Sequence, residues 1–251
     1  DTRTYKKAKK ALKKKKINGK IIKTKKFNDF YTSYFFNKKF NLPFVSAKIA
    51  ISKDYYSINK ISKRVTNKQS EKITHLLRSN NDCIFSTSKS INKDNSMLNC
   101  RINGFNNFKP DLFIIDLNLR LKKNLSLNKI AKKRKTYLIT RNINKNKISF
   151  FKKKENKFIF IKSLINKNDF SLIFQKIYKL GYCRILFETG VTFLNTLLNL
   201  KLLNDLYVFQ TNTNLSYSGS NNSSSKFLKK IKLNKKLKVN LKTDSLYKIK
   251  F

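Results

Sequence analysis

Short apolar runs of strand length alternate with longer amphipathic segments along most of the chain. The segment 67–79 is typical of the second kind, because Asn67 is a candidate N-cap and Ile73, Leu76 and Leu77 share one helical face. The pattern predicts helices over 4–16, 27–40, 67–79, 169–180 and 191–201. It predicts strands over 20–24, 43–52, 82–88, 112–116, 136–140, 157–162, 183–188 and 204–212.

The C-terminal part of the chain has a different pattern. Residues 212–226 are polar and of low complexity, which predicts a mobile loop, and the segments 237–243 and 245–251 predict a closing hairpin. Because the earlier strands are separated by helices, the sequence predicts an α/β domain. We expect a mixed, mostly parallel sheet with helices on both faces.

Polar residues follow several of the predicted strands. Sheets of this kind bind ligands at the carboxyl ends of their strands, and Asp94, Asp116 and Glu188 lie at or beyond such ends. The glycine-rich patterns G-x-G-x-x-G and G-x-x-x-x-G-K-[ST] are both missing from the sequence. A dinucleotide would therefore be held by something other than the standard Rossmann loop.

The charge balance is strongly basic. The 251 residues include 58 Lys plus Arg against 13 Asp plus Glu, for a net charge of +45, which suggests nucleic-acid or ribosome binding. Only eight of the basic residues are Arg, however, and Arg supplies the bidentate contacts that dedicated nucleic-acid binders use. We attribute much of the charge to an A+T-rich genome, and keep a basic nucleic-acid- or ribosome-binding protein as an alternative. The positive field would also attract phosphorylated small molecules.

Other features of the composition exclude several classes of protein. Three cysteines without a C-x-x-C pair indicate a reduced, intracellular setting, and one histidine excludes H-E-x-x-H zinc sites. We expect His75 on the surface, the cysteines in or near the core, and no metal site. No window is long and apolar enough to span a membrane, and the first residues lack the apolar core of a secretory signal. The expected location is the cytoplasm.

Five collinear segments carry a resemblance. PFVSAKIAISKD (43–54) is similar to the pattern Pro-aromatic-Val-x-x-K-x-A-x-S-L-D-G, and 62–78 to S-x-W-I-T-S followed by a helix that ends in L-R. Residues 82–101 are similar to D-A-I-x-x-G-x-x-T-x-x-x-D-D-P-x-L-x-x-R, and 110–120 to P-x-R-V-V-x-D-x-x-L-R. Residues 185–209 are similar to E-G-G-x-x-L, a helix and L-x-D-E-L. These patterns belong to the reductase half of the bifunctional riboflavin-biosynthesis deaminase–reductase family (RibD/RibG).

The resemblance implies a dihydrofolate-reductase-like fold and a reaction. The family uses NADPH to reduce the ribosyl group of 5-amino-6-(5-phosphoribosylamino)uracil to ribityl, by hydride transfer to the open-chain, imine-like C1 of the sugar. A related NADPH reductase that acts on another pyrimidine or pterin substrate is a further alternative, since a fold does not fix a substrate. The family also implies a homo-oligomer.

The resemblance also assigns roles to residues, although it assigns no catalytic residue. Arg78 and Arg101 would contact the substrate phosphate, and Glu188 would accept hydrogen bonds from the uracil or an amine. The expected substrate-binding residues are Lys48, Ser62, Arg78, Leu98, Arg101 and Glu188. The expected cofactor-binding residues are Ile51, Arg64, Ser90, Asp94, Gly190, Val191, Thr192, Phe193, Leu194, Asn195 and Thr196.

The chain departs from the family patterns at several positions. Lys53-Asp54-Tyr55 replaces L-D-G, Arg64 replaces a Trp next to the cofactor, and Thr189 replaces the first Gly of E-G-G. The deaminase motifs H-x-E and P-C-x-x-C are not in the sequence. We therefore expect residues 1–42 to be a leading segment after a deaminase domain and 43–251 to be the reductase domain, with a zinc deaminase as a fused or separate partner.

Overall fold

The computed structural model describes residues 5–20, 25–62, 64–105, 109–222, 231 and 233–251. Its helices are α1 (Tyr5–Lys14), α2 (Lys25–Phe40), α3 (Lys68–Ser79), α4 (Ser88–Asp94), α5 (Lys145–Lys153), α6 (Lys167–Lys179) and α7 (Val191–Asn199). Its strands are β1 (Phe44–Ile51), β2 (Tyr56–Asn59), β3 (Cys83–Thr87), β4 (Asp111–Ile115), β5 (Thr136–Thr140), β6 (Lys157–Phe160), β7 (Arg184–Glu188), β8 (Asp205–Thr211), β9 (Gly219–Asn222) and β10 (Asp244–Lys250). Short 3₁₀ helices lie at Ser126–Lys129, Ala131–Lys133 and Ser216–Ser218.

Eight of the strands form one sheet in the order β10-β8-β1-β7-β3-β4-β5-β6. Every neighbouring pair is parallel except β10 and β8, which are antiparallel. Helices cover both sides of the sheet, because α6 and α7 pack on one face and α3, α4 and α5 on the other. The predicted α/β architecture with a mixed, mostly parallel sheet is therefore confirmed. We call these two surfaces of the sheet the α7 face and the α3 face.

The central strands are mostly apolar because both faces are covered. Successive side chains alternate between the faces, so Phe85, Phe113 and Phe187 pack together on the α7 face, with ring centroids 4.8–4.9 Å apart. Their neighbours Ile84 and Leu186 are fully buried on the α3 face. This double burial fixes the register of the strands, and with it the residues that stand at the carboxyl edge of the sheet.

A second sheet of two strands, which the sequence pattern did not indicate, joins β2 to β9 in antiparallel pairing. The predicted mobile loop is thus wrong over residues 216–222, which form a 3₁₀ turn and β9, while 223–226 lie outside the described residues. The carboxylate of Asp54 accepts hydrogen bonds from the backbone N–H groups of Leu215 and Ser216 at 2.8–3.1 Å. These contacts attach the start of the segment to the end of β1, so that its polar sequence is ordered by backbone pairing rather than by burial.

The C-terminal prediction is also corrected. Residues 244–250 form β10, which pairs with β8 at the edge of the main sheet, and the segment 237–243 is no strand, since a single bridge, Lys236 to Tyr247, joins this region to β10. Helices α4 and α5 were not predicted. The predicted strand over 20–24 falls largely on residues outside the described part of the chain.

Helix α2 contacts the first strand of the domain. The Asn37 side-chain amide donates to the carbonyl oxygens of Leu42 and Cys183 at 2.7 and 3.1 Å, and the Phe36 ring packs edge-on against Phe44. The division into a leading segment, 1–42, and a reductase domain stays a prediction. No helix in the described ranges combines the length and the apolar character needed to cross a membrane.

Candidate substrate and cofactor site

The site lies on the α3 face, where the central strands β1 and β7 approach their carboxyl ends. Lys48 on β1 is the register partner of Glu188, the last residue of β7. Their neighbours Ala47 and Phe187 belong to the core of the α7 face, so the alternation of the strands directs Lys48 and Glu188 to the α3 face. An acid and a base are thereby placed side by side on adjacent strands.

Arg78 from α3 forms a bidentate ion pair with Glu188. Its Nε and Nη2 donate to the two carboxylate oxygens at 2.6 and 2.9 Å, and its Nη1 donates to the carbonyl oxygen of Asn99 at 2.9 Å. Both side chains are about nine-tenths buried, with 10 % and 9 % of their surface exposed. Although burial raises it, the pKa of Glu188 lies below its usual range because of Arg78 and Lys48. Arg78 thus orients the carboxylate, and its predicted substrate contact stays a prediction.

Lys48 is the second charged group beside Glu188. Its ammonium lies 5.5 Å from the centre of the Phe209 ring. Burial lowers the pKa of Lys48, and the positive charge of Arg78 lowers it further, whereas Glu188 acts in the opposite direction. A lysine with a lowered pKa next to a carboxylate is suited to proton transfer.

His75 is buried, with 5 % of its surface exposed, so the expectation of a surface position is wrong. Its Nδ1 lies 3.1 Å from the backbone nitrogen of Arg101 and 3.1 Å from the carbonyl oxygen of Asn99. Burial lowers the pKa of His75, and the cations of Arg78 and Arg101 add to this effect. The neutral imidazole therefore fixes the backbone that carries Arg101 against α3.

Glu71, one turn before His75 on α3, joins two of the predicted site residues. One carboxylate oxygen lies 3.2 Å from Nη1 of Arg64, and the other lies 3.6 Å from Nη2 of Arg101. The Arg101 guanidinium also donates to the side-chain oxygen of Asn99 at 2.9 Å. No motif in the sequence identified Glu71 or His75, which lie about two turns and one turn before Arg78 on the same helix.

Two helix N-termini meet at the same edge of the sheet. Helix α7 begins directly after β7, and Gly190 caps it without a side-chain hydrogen bond to the helix. Helix α4 begins directly after β3, the neighbour of β7, with the Thr87 side chain accepting from the Ser90 N–H. A Cβ atom at Gly190 would meet only the Ser90 hydroxyl, at 3.9 Å. The predicted cofactor residues Ser90 and Gly190 are therefore neighbours, beside a helix N-terminus whose first N–H groups suit an anion.

Other predicted cofactor residues take different positions. Within α7, Val191 and Leu194 pack into the core, Thr192 is exposed, and the remainder are half-buried: Phe193, Asn195 and Thr196. Ile51 is fully buried on the α7 face, on the opposite side of the sheet from Lys48. Asp94, at the last position of α4, is exposed as a residue. Partial desolvation of its carboxyl group raises its pKa.

The two remaining predicted substrate residues lie in loops. Ser62 is exposed, and its hydroxyl donates to the carbonyl oxygen of Arg64 at 2.8 Å. Leu98 is buried with a positive φ of 51°, and its carbonyl oxygen accepts from Nη1 of the buried Arg134 at 3.1 Å. Burial lowers the pKa of Arg134 to about 10. Across the described part of the chain, no group of three or more His, Cys, Asp or Glu side chains could hold a metal ion.

Comparison with known proteins gives a family match over the part of the chain that contains this site. The family model described as the RibD C-terminal domain matches residues 43–215, which is more than half of the chain. This range contains every site residue described above. No curated protein sequence matches the chain significantly.

Solved structures share the fold. RibD from Acinetobacter baumannii superposes with a TM-score of 0.74 at 16 % identity, over 97 % of this chain and 68 % of that one. A deaminase/5-amino-6-(5-phosphoribosylamino)uracil reductase from Thermotoga maritima gives 0.69 at 16 % identity, over 89 % of this chain and 60 % of that one. The riboflavin biosynthesis reductase Rib7 from Saccharomyces cerevisiae gives 0.65 at 20 % identity, over 89 % and 98 %. The chain therefore spans about two thirds or less of the two bacterial proteins and nearly all of the yeast one.

Proposed function

The chain belongs to the RibD C-terminal domain family, and on that premise we propose that it is an NADPH-dependent reductase of riboflavin biosynthesis. Its substrate is 5-amino-6-(5-phosphoribosylamino)uracil, and its product is the ribitylamino compound. The observation that carries the proposal is the Arg78–Glu188 ion pair beside Lys48, at the edge of the sheet where α7 begins. The dihydrofolate-reductase-like fold of the family is the fold of this chain.

The residues at the start of α4 and α7 fit the cofactor. The N–H groups in the first turn of α7 have no partner within the helix, and the open space at Gly190 lets a pyrophosphate approach the backbone. The Ser90 hydroxyl stands at the edge of that space. When bound, NADPH supplies the hydride. The residues of this chain bind and align the cofactor and the substrate, and they hold or move the proton.

Glu188 and Lys48 divide the polar work at the substrate. The Glu188 carboxylate stays ionised at neutral pH, since its pKa is lowered, and it accepts hydrogen bonds from the amine or uracil N–H groups. Reduction of the imine-like C1 places a hydride on carbon and a proton on the adjacent nitrogen. Lys48 is the group suited to hold that proton, because its lowered pKa makes the ammonium a stronger acid.

We infer a cytoplasmic enzyme that assembles as a homo-oligomer and works with a fused or separate zinc deaminase. The phosphorylated sugar is held by cationic side chains on the α3 face, among them Arg101. Nucleic acid is not part of this function.

The decisive experiment measures NADPH oxidation by the purified chain with the deaminated phosphoribosylaminouracil, at moderate salt to weaken non-specific phosphate binding. We expect turnover by the native chain and its loss in Glu188→Gln, because the variant has no ionised acceptor. Glu155→Gln is the matched control, since Glu155 is exposed and on none of the site's elements. NADPH binding without turnover would indicate another pyrimidine or pterin substrate. If neither NADPH nor substrate binds, the proposal is wrong.

A further inference from the structure

Glu71 lies between two half-exposed arginines. Its carboxylate oxygens are 3.2 Å from the Arg64 guanidinium and 3.6 Å from that of Arg101. The exposed fractions of the three side chains are 39 % for Glu71, 62 % for Arg64 and 46 % for Arg101. Both guanidinium groups therefore pair with one carboxylate, while much of each arginine side chain is exposed to solvent.

The charges of this cluster are not balanced. The single carboxylate of Glu71 faces two guanidinium groups, whereas Glu188 is matched by Arg78 in a closed, bidentate pair. All three guanidinium nitrogens of Arg78 are engaged within the protein. Arg64 and Arg101 thus carry more positive charge than the one carboxylate between them balances, at positions that an anion from solvent can reach.

Both arginines make further contacts, Arg64 through its backbone and Arg101 through its backbone and its side chain. The backbone N–H of Arg101 donates to Nδ1 of His75, and its guanidinium donates to the Asn99 side chain. The Arg64 carbonyl accepts from the Ser62 hydroxyl, whose backbone N–H bonds in turn to the Asn59 side chain. Two planar guanidinium groups paired with one carboxylate and partly open to solvent suit the recognition of a phosphate group.

We propose that Arg64 and Arg101 form a clamp for one phosphate monoester, and that Glu71 is the positioning residue that holds the clamp in place. This inference rests on the proposed function and adds Arg64 and Glu71 to phosphate recognition. The phosphate has two possible sources, the 5-phosphate of the substrate sugar and the 2′-phosphate of NADPH. Both are monoester dianions, and the experiment distinguishes them.

The test measures direct binding by calorimetry, with no turnover required. The probes are ribose 5-phosphate against ribose, and NADPH against NADH. Arg64→Gln is compared with Lys72→Gln, which removes the same charge from an exposed position on α3. We expect Arg64→Gln to weaken binding of one phosphorylated probe about tenfold, with no effect on its unphosphorylated partner and none from Lys72→Gln. A loss for ribose 5-phosphate identifies the substrate phosphate, and a loss for NADPH identifies the cofactor phosphate.

A second test distinguishes positioning by Glu71 from charge cancellation, because the two roles predict opposite changes in phosphate binding. If Glu71 only cancelled charge, Glu71→Gln would leave an extra positive charge near the phosphate and tighten its binding. A positioning residue gives the reverse, and we expect Glu71→Gln to weaken the same phosphorylated probe about fivefold. Glu155→Gln, which changes the net charge equally at a remote exposed site, leaves it unchanged. The KM for the phosphorylated substrate or for NADPH should rise in parallel, while kcat changes little.

Two results would overturn the inference. Equal effects of Arg64→Gln and Lys72→Gln would show that only total charge matters, and tighter phosphate binding by Glu71→Gln would remove its positioning role. A native chain that binds both probes but does not turn over would count against the proposed reaction alone. A native chain that turns over with unchanged Arg64→Gln binding would count against the clamp alone.

Discussion

Arg78 and Glu188 depend on each other, because each is about nine-tenths buried and carries a full charge. Removing one partner leaves the other charge buried without compensation, which costs about 3–5 kcal/mol. We expect Glu188→Gln and Arg78→Met each to lower the free energy of unfolding by about 3 kcal/mol, and the double variant to cost less than the sum of the two. Urea denaturation of the four proteins gives this coupling. Strict additivity would show that the pair contributes nothing as a pair.

The Arg78–Glu188 pair makes the free energy of unfolding depend on pH in the acidic range. Since the pKa of Glu188 is lower in the folded chain than its ordinary value of about 4.3, its contribution is complete above that pH and is lost as the pH falls through the folded pKa. The stability difference between the native chain and Glu188→Gln should therefore shrink below about pH 4.3. A constant difference would contradict the lowered pKa.

His75 allows a direct titration, because it is the only histidine in the chain. Burial and two neighbouring arginines disfavour its protonated form, so its imidazole signal in an NMR titration should give a pKa below the ordinary value of about 6.5. Protonation then favours the unfolded state, and stability falls as the pH drops below about 6.5. His75→Gln keeps a hydrogen-bond acceptor for Arg101 and should reduce this loss below about pH 6.5. An unshifted titration would contradict the buried, neutral imidazole.

Motifs at strand and helix ends singled out candidate site residues that the structure places together. Arg78 and Glu188 stand in such motifs, and the structure brings them into contact. Glu71 and His75 were not found, because their importance comes from what α3 packs against and not from any local pattern. Arg64 was assigned to the cofactor through the position of a Trp, whereas its guanidinium is paired with Glu71.

At the scale of elements, the start of α7 offers a test that separates cofactor binding from folding. Gly190 has φ −71° and ψ 165°, which any residue can adopt, and a Cβ atom there would meet only the Ser90 hydroxyl at 3.9 Å. We expect Gly190→Ala to leave the free energy of unfolding unchanged within about 0.5 kcal/mol. It should weaken NADPH binding about tenfold, because the methyl group occupies the space of the pyrophosphate.

Gly104→Ala is the control for this variant, because it should affect folding and not NADPH binding. Gly104 has a φ of +84°, so alanine there is strained and should cost stability without affecting NADPH. Fluorescence titration with NADPH and urea denaturation give both quantities. Undiminished NADPH affinity in Gly190→Ala would mean that the cofactor does not approach the start of α7.

Elements built from continuous apolar runs were predictable, and those built from long-range backbone pairing were not. Strands β3, β4, β5 and β7 are apolar because helices cover both faces of the sheet. Strand β9, by contrast, reads GSNN and exists because β2, about 160 residues earlier in the chain, supplies its hydrogen bonds. Strand β10 follows the same reasoning, since its partner is β8 and not the segment before it.

At the scale of the whole molecule, the candidate site residues lie near one edge of the sheet, while lysines cover much of the remaining surface. Helix α1 is the extreme case, because residues 7–20 are all exposed and include no acidic residue. The interpretation of this charge as genome composition implies that the lysines act as a diffuse field and not as a site.

That interpretation predicts how polyanion binding responds to lost charge. Binding to single-stranded RNA should fall steeply with salt, and each phosphate contact contributes about 0.7 to the slope of log K against log salt. We expect the triple variant Lys7→Gln, Lys10→Gln and Lys14→Gln to lower this slope as much as Lys152→Gln, Lys153→Gln and Lys154→Gln, which remove three exposed lysines at the C-terminal end of α5. Reductase kinetics at moderate salt should be unchanged in both. A larger loss for the α1 variant would mean that this helix binds RNA as a defined site, because a diffuse field depends on the number of charges and not on their location.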